Sequence, residues 1–275
     1  MQRSRLRILP LAAIRPHEVA DPSREARIER RLREDGVLRD PLMVGAISDM
    51  EDYVLLDGTN RRRALQSLEL PFGLVQVVEY SDPNAVQLST WCHSVRVPFP
   101  EIVEAARSVP GVVVSPLAEL AAADALQSPG TIAVVLSKGQ AAAISRASEY
   151  PYSRADQLRA LVDLYEDRMT RLDCNPAEVE ELAQTLCDPE REGATLVAFP
   201  PISRSQVVTM ALRGTHIPAG ITRHVILGGR ALRVNVPLEL LDGTRSLEEA
   251  NQELQKHLAA LQPRLYREPT ILFDS

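Results

Sequence analysis

Hydrophobic positions in the first 80 residues change period repeatedly, and each change predicts an element. Arg7 to Leu11 reads as a short strand, and Ile14 to Glu18 as a turn. Asp21-Pro22 has the form of an N-cap followed by a first helical residue, and Gly36 ends the helix that runs to Asp35. Ile28 and Leu32, four apart, mark the inner face of that helix. Pro41 to Ile47 predicts a strand, Ser48 to Asp52 an acidic turn, and Tyr53 to Leu56 another strand. A helix from Thr59 to Leu70 and a Val-rich strand from Gly73 to Tyr80 complete a compact α/β unit.

Beyond residue 80 the pattern alternates between the two periods. Val86 to Val95 predicts a strand, residues 99–108 and 116–127 predict helices, and Thr131 to Leu136 a buried strand. Ser153 to Leu172 reads as one amphipathic helix carrying Leu158, Leu161, Val162, Tyr165, Met169 and Leu172 on one side. Asn175-Pro176 with Glu178 opens a further helix, Ala194 to Phe199 is strand-like, and Ser203 to Arg213 is helical. Thr222 to Leu227 and Ala231 to Val236 flank Gly228-Gly229, which predicts a hairpin, and Ser246 to Leu261 is a last helix. The fold class expected is α/β (α+β), with an N-terminal domain at 1–80 and a mixed α/β domain at 81–275.

Composition narrows the function classes. The 275 residues are 45% hydrophobic and 25% charged, an ordinary globular balance, and no apolar run approaches the roughly 20 residues a bilayer requires. The basic N-terminus lacks an apolar core region behind it, so no secretory signal is expected and the cytoplasm is the default location. Cys92, Cys174 and Cys187 lack metal-ligand spacing and are expected to be reduced and structural. Net charge is −6; residues 1–80 balance 13 arginines against 13 acids, so the excess negative charge falls in 81–275. Such a chain suits strong nonspecific DNA binding poorly. Neither of its two lysines, Lys138 and Lys256, lies in a Walker loop.

The chemistry concentrates at Asp57-Gly58-Thr59-Asn60-Arg61. A strand, a tight turn and a helix N-terminus present backbone N–H groups and the positive end of the helix dipole, which suits phosphate. Arg61 can add a charge-assisted contact, and Asp57 suits a metal or a substrate hydroxyl. On local pattern alone, an ordinary turn with a solvated arginine face accounts for the run equally well. Thr222, Arg223 and His224 group a hydroxyl, a guanidinium and an imidazole, and Arg223 could clamp a carboxylate. Strand alternation points Arg223 away from the other two unless a turn at Gly220 relaxes it. No metal site built from protein ligands alone is visible, so Mg2+ would arrive with a nucleotide.

Pro41, Val44 and Asp57-Gly58-x-x-Arg61-x-x-Ala64 resemble the N-terminal domain shared by ParB proteins and sulfiredoxins, where the Gly-x-x-Arg segment holds nucleotide phosphates. Sulfiredoxin needs a cysteine in this loop, and here Thr59 and Asn60 stand there. A ParB partition protein should continue into a basic helix-turn-helix, which this chain lacks. With His17-Glu18 and Gly220 to His224 added, the chain resembles the free L-serine kinases along nearly its whole length, more loosely over about 100–190. Members of that family often carry His after the Asp-Gly, a departure that bears on nucleotide preference and rate.

The resemblance implies phosphoryl transfer from ATP or ADP, with Mg2+, to the hydroxyl of L-serine. Glu18 is then the catalytic base and Asp57 orients the hydroxyl or holds Mg2+ through water. Gly58, Thr59, Asn60 and Arg61 bind the nucleotide, and His17 contacts phosphate or backbone. Trp91, Thr222, Arg223 and His224 bind substrate. L-serine and nucleotide are the partners implied, a homodimer is left open, and a membrane is excluded. The alternative reading is a ParB-like regulator responding to CTP or ATP and binding DNA, motivated by Arg24, Arg27, Arg30, Arg31 and Arg61–Arg63. Acids in the same domain balance those faces.

Overall fold

In the computed structural model, the residues described are 6–47, 50–147, 153–186 and 194–264. Two sheets organise the chain. The first has the order β1 (Leu6–Pro10), β6 (Phe72–Glu79), β4 (Leu42–Ala46), β5 (Tyr53–Asp57), β2 (Ile14–Arg15). It is mixed: β6 runs antiparallel to β1 and parallel to β4, while β5 runs antiparallel to β4 and parallel to β2. Ile14 and Arg15, expected in a turn, therefore add a short edge strand. Helices α1 (Pro22–Asp35) and α2 (Thr59–Ser67) pack on this unit, burying Leu32, Ala64 and Leu65. Asp21 caps α1 by accepting from the N–H groups of Ser23 and Arg24, and Gly36 closes it with φ of 66°. Ser48 and Asp49 of the predicted acidic turn lie outside the described residues.

The second sheet has the order β11 (Met169–Asp173), β7 (Val86–Arg96), β12 (Ala194–Ala198), β9 (Thr131–Ser137), β10 (Gln140–Arg146), β8 (Val112–Leu117). Strand β13 (Thr222–Ile226) pairs with the first half of β7. Helices α3 (Phe99–Ala106), α4 (Ala122–Gln127), α5 (Arg154–Asp163) and α6 (Val179–Leu186) pack on it, while α7 (Arg204–Arg213) packs against β5, with Val207 and Ala211 in one core with Met43 and Val54. No described helix is long and apolar enough to cross a membrane.

Three expectations need correction here. The helix over Ser153–Leu172 ends at Asp163; Met169 to Asp173 is instead β11, paired residue by residue with Val95 to Trp91. Apolar residues three apart share a face only in a helix, yet a free edge of β7 took this segment as a strand, on which Met169 and Leu172 face opposite sides. The helix expected at 116–127 begins at Ala122, because Val112 to Leu117 pairs with β10. The hairpin around Gly228-Gly229 does not form. Ala231 gives its N–H to the Gln76 side chain, and Val234 gives its N–H to the Arg39 carbonyl. Only Val236–Pro237 (β14) is a strand, paired with β3 (Val37–Leu38).

These contacts return the end of the chain to the first unit. Val234, Val236 and Leu241, with Ala250, Leu254 and Leu258 of α8 (Leu247–Ala260), share one core with Ile8, Leu38, Leu55 and Leu74. The last part of the 81–275 segment thus seals the first sheet. The cysteine expectation is also corrected. Cys92 and Cys174 are bonded as a disulfide that ties β7 to the residue after β11, with Cα atoms 5.6 Å apart. Cys187 lies outside the described residues.

Candidate active site

Strand β5 carries the apolar run Val54-Leu55-Leu56 into the core and delivers Asp57 at its end. Gly58 follows with φ of 101°, and α2 starts directly after it. The space at Gly58 is closed: a Cβ there would stand 2.8 Å from Leu42 Cδ2 and 3.0 Å from Arg61 Nη2. A bare turn and a helix without a capping side chain leave the first-turn N–H groups directed outward. Arg61 Nη2 donates to Asp57 Oδ2 at 2.9 Å, and Arg230 Nη1 donates to the same oxygen at 2.7 Å. Burial raises the Asp57 carboxyl, but the two guanidiniums outweigh it and hold the group below the ordinary carboxylate range. Arg61 Nε is buried without a partner. The Asn60 side chain accepts from the Asp21 N–H at 2.8 Å, which pins the start of α2 to the start of α1.

Glu18 lies on the loop after β2, bridged in parallel to Ile217 from the second unit. The Ile217 N–H donates to the His17 carbonyl at 3.0 Å, and the Val19 N–H to the Ile217 carbonyl at 2.9 Å. Thr222, the first residue of β13, meets the Glu18 Oε1 atom twice, through its N–H at 3.1 Å and its hydroxyl at 2.6 Å. His17 lies behind: Nε2 is 2.8 Å from Thr222 Oγ1 and Nδ1 is 3.0 Å from the Leu55 carbonyl. Leu55 precedes Asp57 by two residues on β5. The opening loop, β13 and the phosphate-type loop are therefore one connected structure.

The predicted site residues separate into groups. Glu18, Thr222 and His17 are joined as described, and Asp57, Gly58, Thr59, Asn60 and Arg61 lie together at the β5–α2 turn. His17 is 2% exposed with both ring nitrogens engaged, so it holds backbone and Thr222, leaving no nitrogen for a phosphate. His224 is buried against Tyr80, whose hydroxyl is 2.9 Å from Nε2; burial first, and His17 second, push its imidazolium down to about 3. It acts as a core residue, not as a group open to a ligand. Strand β13 stays regular, so Arg223 points to the opposite face, where it stacks 4.9 Å over the Trp91 ring and pairs with Asp173 at 2.9 Å. Gly220, despite its φ of 82°, does not turn Arg223 toward Thr222.

Two residues of this site carry no local sequence signal. Arg230 links Asp57 to the second unit, its other amino group donating to the His224 carbonyl at 3.0 Å. Arg171, from β11, donates to the Ala219 carbonyl at 3.1 Å, while its Nε is packed on Gly220, where a Cβ would overlap it. Burial lowers the Arg171 pKa, with the charges of Arg24, Glu18, Glu166 and Asp21 in range. Among the described residues no cluster of three His, Cys, Asp or Glu side chains could hold a metal.

The α/β architecture built around this loop is like that of a free serine kinase of known structure. No family model matches the chain. In sequence it is 24% identical over 278 residues to the ATP-dependent L-serine kinase SbnI of Staphylococcus aureus, covering 98% of this chain and 97% of that protein. A stretch of 76 residues is 32% identical to the ATP-dependent L-serine kinase of Staphylothermus marinus, spanning 28% of this chain and 30% of that one. In structure it matches C-terminally truncated SbnI from Staphylococcus aureus with a TM-score of 0.70 at 20% identity, over 94% of this chain and 98% of that one. It also matches a free serine kinase in complex with AMP, with a TM-score of 0.68 at 16% identity, over 86% and 93%.

Proposed function

We propose that this protein is a free L-serine kinase, a phosphotransferase that moves a phosphoryl group from ATP to the hydroxyl of L-serine and forms O-phospho-L-serine. The observation that supports this reading is the chain of contacts Glu18–Thr222–His17–Leu55, which links a carboxylate to the strand that ends in the Asp57–Arg61 loop. Phosphoryl transfer needs little else from a protein than phosphate binding, charge neutralisation and a proton acceptor. The N–H groups of Gly58, Thr59 and Asn60 and the Arg61 guanidinium would take the phosphates. Glu18 would accept the proton of the serine hydroxyl, and Asp57, held ionised by Arg61 and Arg230, would orient that hydroxyl. Arg223, stacked over Trp91 on the opposite face of β13 and already paired with Asp173, is not aimed at this group of residues.

Mg2+ fits this arrangement as a companion of the nucleotide. Asp57 already serves two guanidiniums, so the metal's remaining ligands would be phosphate oxygens and water. That ion would supply charge neutralisation on the transferring group. The relatives matched in sequence are named ATP-dependent, which favours ATP over ADP as donor. A role as a CTP- or ATP-responsive DNA-binding regulator finds no such support.

The test is direct. Purified protein is incubated with L-serine, Mg2+ and ATP, ADP or CTP in turn, and phosphoserine is sought by mass spectrometry. Phosphoserine with ATP supports the reading; none with any donor ends it.

A further inference from the structure

Satisfying every contact around Thr222 at once takes one more proton than a carboxylate and a neutral histidine would bring. The Leu55 carbonyl can only accept, so His17 Nδ1, 3.0 Å away, carries a hydrogen. In a neutral imidazole Nε2 is then a lone pair, and at 2.8 Å it accepts the hydrogen of the Thr222 hydroxyl. That hydroxyl has one hydrogen, yet its oxygen also lies 2.6 Å from Glu18 Oε1. With that tautomer the hydrogen between the two oxygens has to be supplied from the Glu18 side, on the same Oε1 that lies 3.1 Å from the Thr222 N–H. The other proton-complete arrangement puts the hydrogen on Nε2, giving an imidazolium, a Thr222 hydroxyl that donates to Glu18, and an ionised carboxylate. The two arrangements hold the same number of protons and interconvert when two hydrogens shift together.

Resting on the kinase reading above, we propose that Glu18, Thr222 and His17 form a proton relay, with Thr222 as the carrier and His17 as the store. The serine O–H bond breaks and its electron pair forms the new bond to the γ-phosphorus, while the bond from phosphorus to the leaving oxygen breaks and its pair departs with ADP. The hydroxyl proton goes to Glu18. Glu18 then donates to Thr222 Oγ1, and Thr222 passes its own hydrogen to His17 Nε2. Before the step, with one proton fewer, Glu18 and Thr222 Oγ1 have no hydrogen between them, and the carboxylate is released toward the substrate. The geometry described is that of the loaded relay.

The surroundings suit a store sealed from water. His17 is buried, and its ring packs edge-on to His224 with centroids 5.6 Å apart. The charged and titratable groups that face the relay are Glu18, His216 and His224 around His17, and Arg171 around Glu18, with Asp21, Arg24 and Glu166 behind that arginine. Burial disfavours an isolated imidazolium at His17, and Glu18 offsets part of that effect. The proton thus belongs to the pair and not to either residue.

Nitrogen NMR of 15N-histidine-labelled protein without ligands reads the arrangement directly, with His17 assigned by its loss in His17→Gln. The relay predicts hydrogen on Nδ1, and proton uptake by the pair that moves by more than one pH unit in Glu18→Gln. A neutral His17 with its hydrogen on Nε2 overturns it, whatever the enzyme's activity. In turnover, Thr222→Val is expected to slow phosphoserine formation about 100-fold with nucleotide affinity within twofold, and Thr222→Ser to recover at least a tenth of the rate. The wild type is expected to show a curved dependence of rate on deuterium content, reporting two protons in flight. A rate for Thr222→Val within threefold of wild type, or a linear dependence in the wild type, counts against the relay. Should the wild type form no phosphoserine with any donor, the kinase reading fails while the NMR result still judges the relay as a structure.

Discussion

Arg230 reaches from the turn after β13 to Asp57, donating to Oδ2 at 2.7 Å, and so ties the second unit to the phosphate-type loop of the first. The same oxygen serves Arg61, so two cations from different units share one carboxylate. Both partners of the Arg230 pair are about two-fifths exposed, at 39% and 42%, so the pair adds little to stability, under about 1 kcal/mol after screening. Its consequence is for Asp57. In Arg230→Met the fold is expected to persist, the Asp57 carboxyl to lose one of the two charges that hold it down, and kcat/KM to fall about tenfold, which corresponds to about 1.4 kcal/mol. Steady-state kinetics beside a urea melt checks both halves.

Arg61 lies against Gly58 at the start of α2 and keeps a buried Nε without a partner. Arg61→Ala is expected to weaken nucleotide binding about 10- to 100-fold, the scale of a charge-assisted contact of about 1.5–3 kcal/mol. Calorimetric titration with ATP measures it, and an unchanged affinity would remove Arg61 from the nucleotide site.

Gly58→Ala tests the turn itself. The position combines a φ of 101° with a Cβ contact of 2.8 Å to Leu42, so backbone strain of about 1–3 kcal/mol and a displaced Arg61 are expected. Lower thermal stability together with weaker ATP binding is the predicted result.

Two buried histidines set a pH dependence of stability. Burial, partly offset by the Gly220 carbonyl and reinforced by Arg171, leaves His93 at about 4, and His224 lies at about 3. Both folded values lie below the unfolded value near 6.5, so the unfolded chain binds more protons between these limits. Their stabilisation is complete above about pH 6.5 and is lost as pH falls toward the folded values. Each group contributes up to about 1.4 kcal/mol per pH unit, so stability is expected to drop by about 2 kcal/mol between pH 6 and pH 5. Urea melts at the two pH values would show it; equal stability would mean that these imidazoles are not held neutral.

The parts of this fold that sequence made visible are those governed by neighbours in the chain. Asp21-Pro22 and Gly36 bound α1, and α7 and α8 start right after Ser203 and Ser246, where helices were expected; the structure shows that Gln206 and Glu249 complete capping boxes there, and a cap acts within one turn. The Asp57–Arg61 loop was legible for the same reason. The parts that escaped depend on partners far away. Met169 and Leu172 fit a helical stripe until β7 offers them an edge, and Ala231 to Val236 fits a hairpin arm until Gln76 and Arg39 take its N–H groups. Arg171 and Arg230 are ordinary arginines in sequence. Only sheet register and the return of the chain to the first unit place them beside Glu18 and Asp57. For Arg171 the sequence holds no trace: Gly220, whose space the arginine fills, is already accounted for by its turn and φ of 82°.

Catalysis in this scheme depends on Glu18 taking the proton of an acceptor bound beside the Asp57–Arg61 loop. Its most direct test is single-turnover formation of phosphoserine by wild type and Glu18→Gln at saturating ATP, with ATP affinity measured on the same samples. A rate at least about 100-fold lower is expected for the variant, with an affinity within about threefold of wild type. A Glu18→Gln protein that forms phosphoserine at the wild-type rate would contradict the assignment of Glu18 as the base.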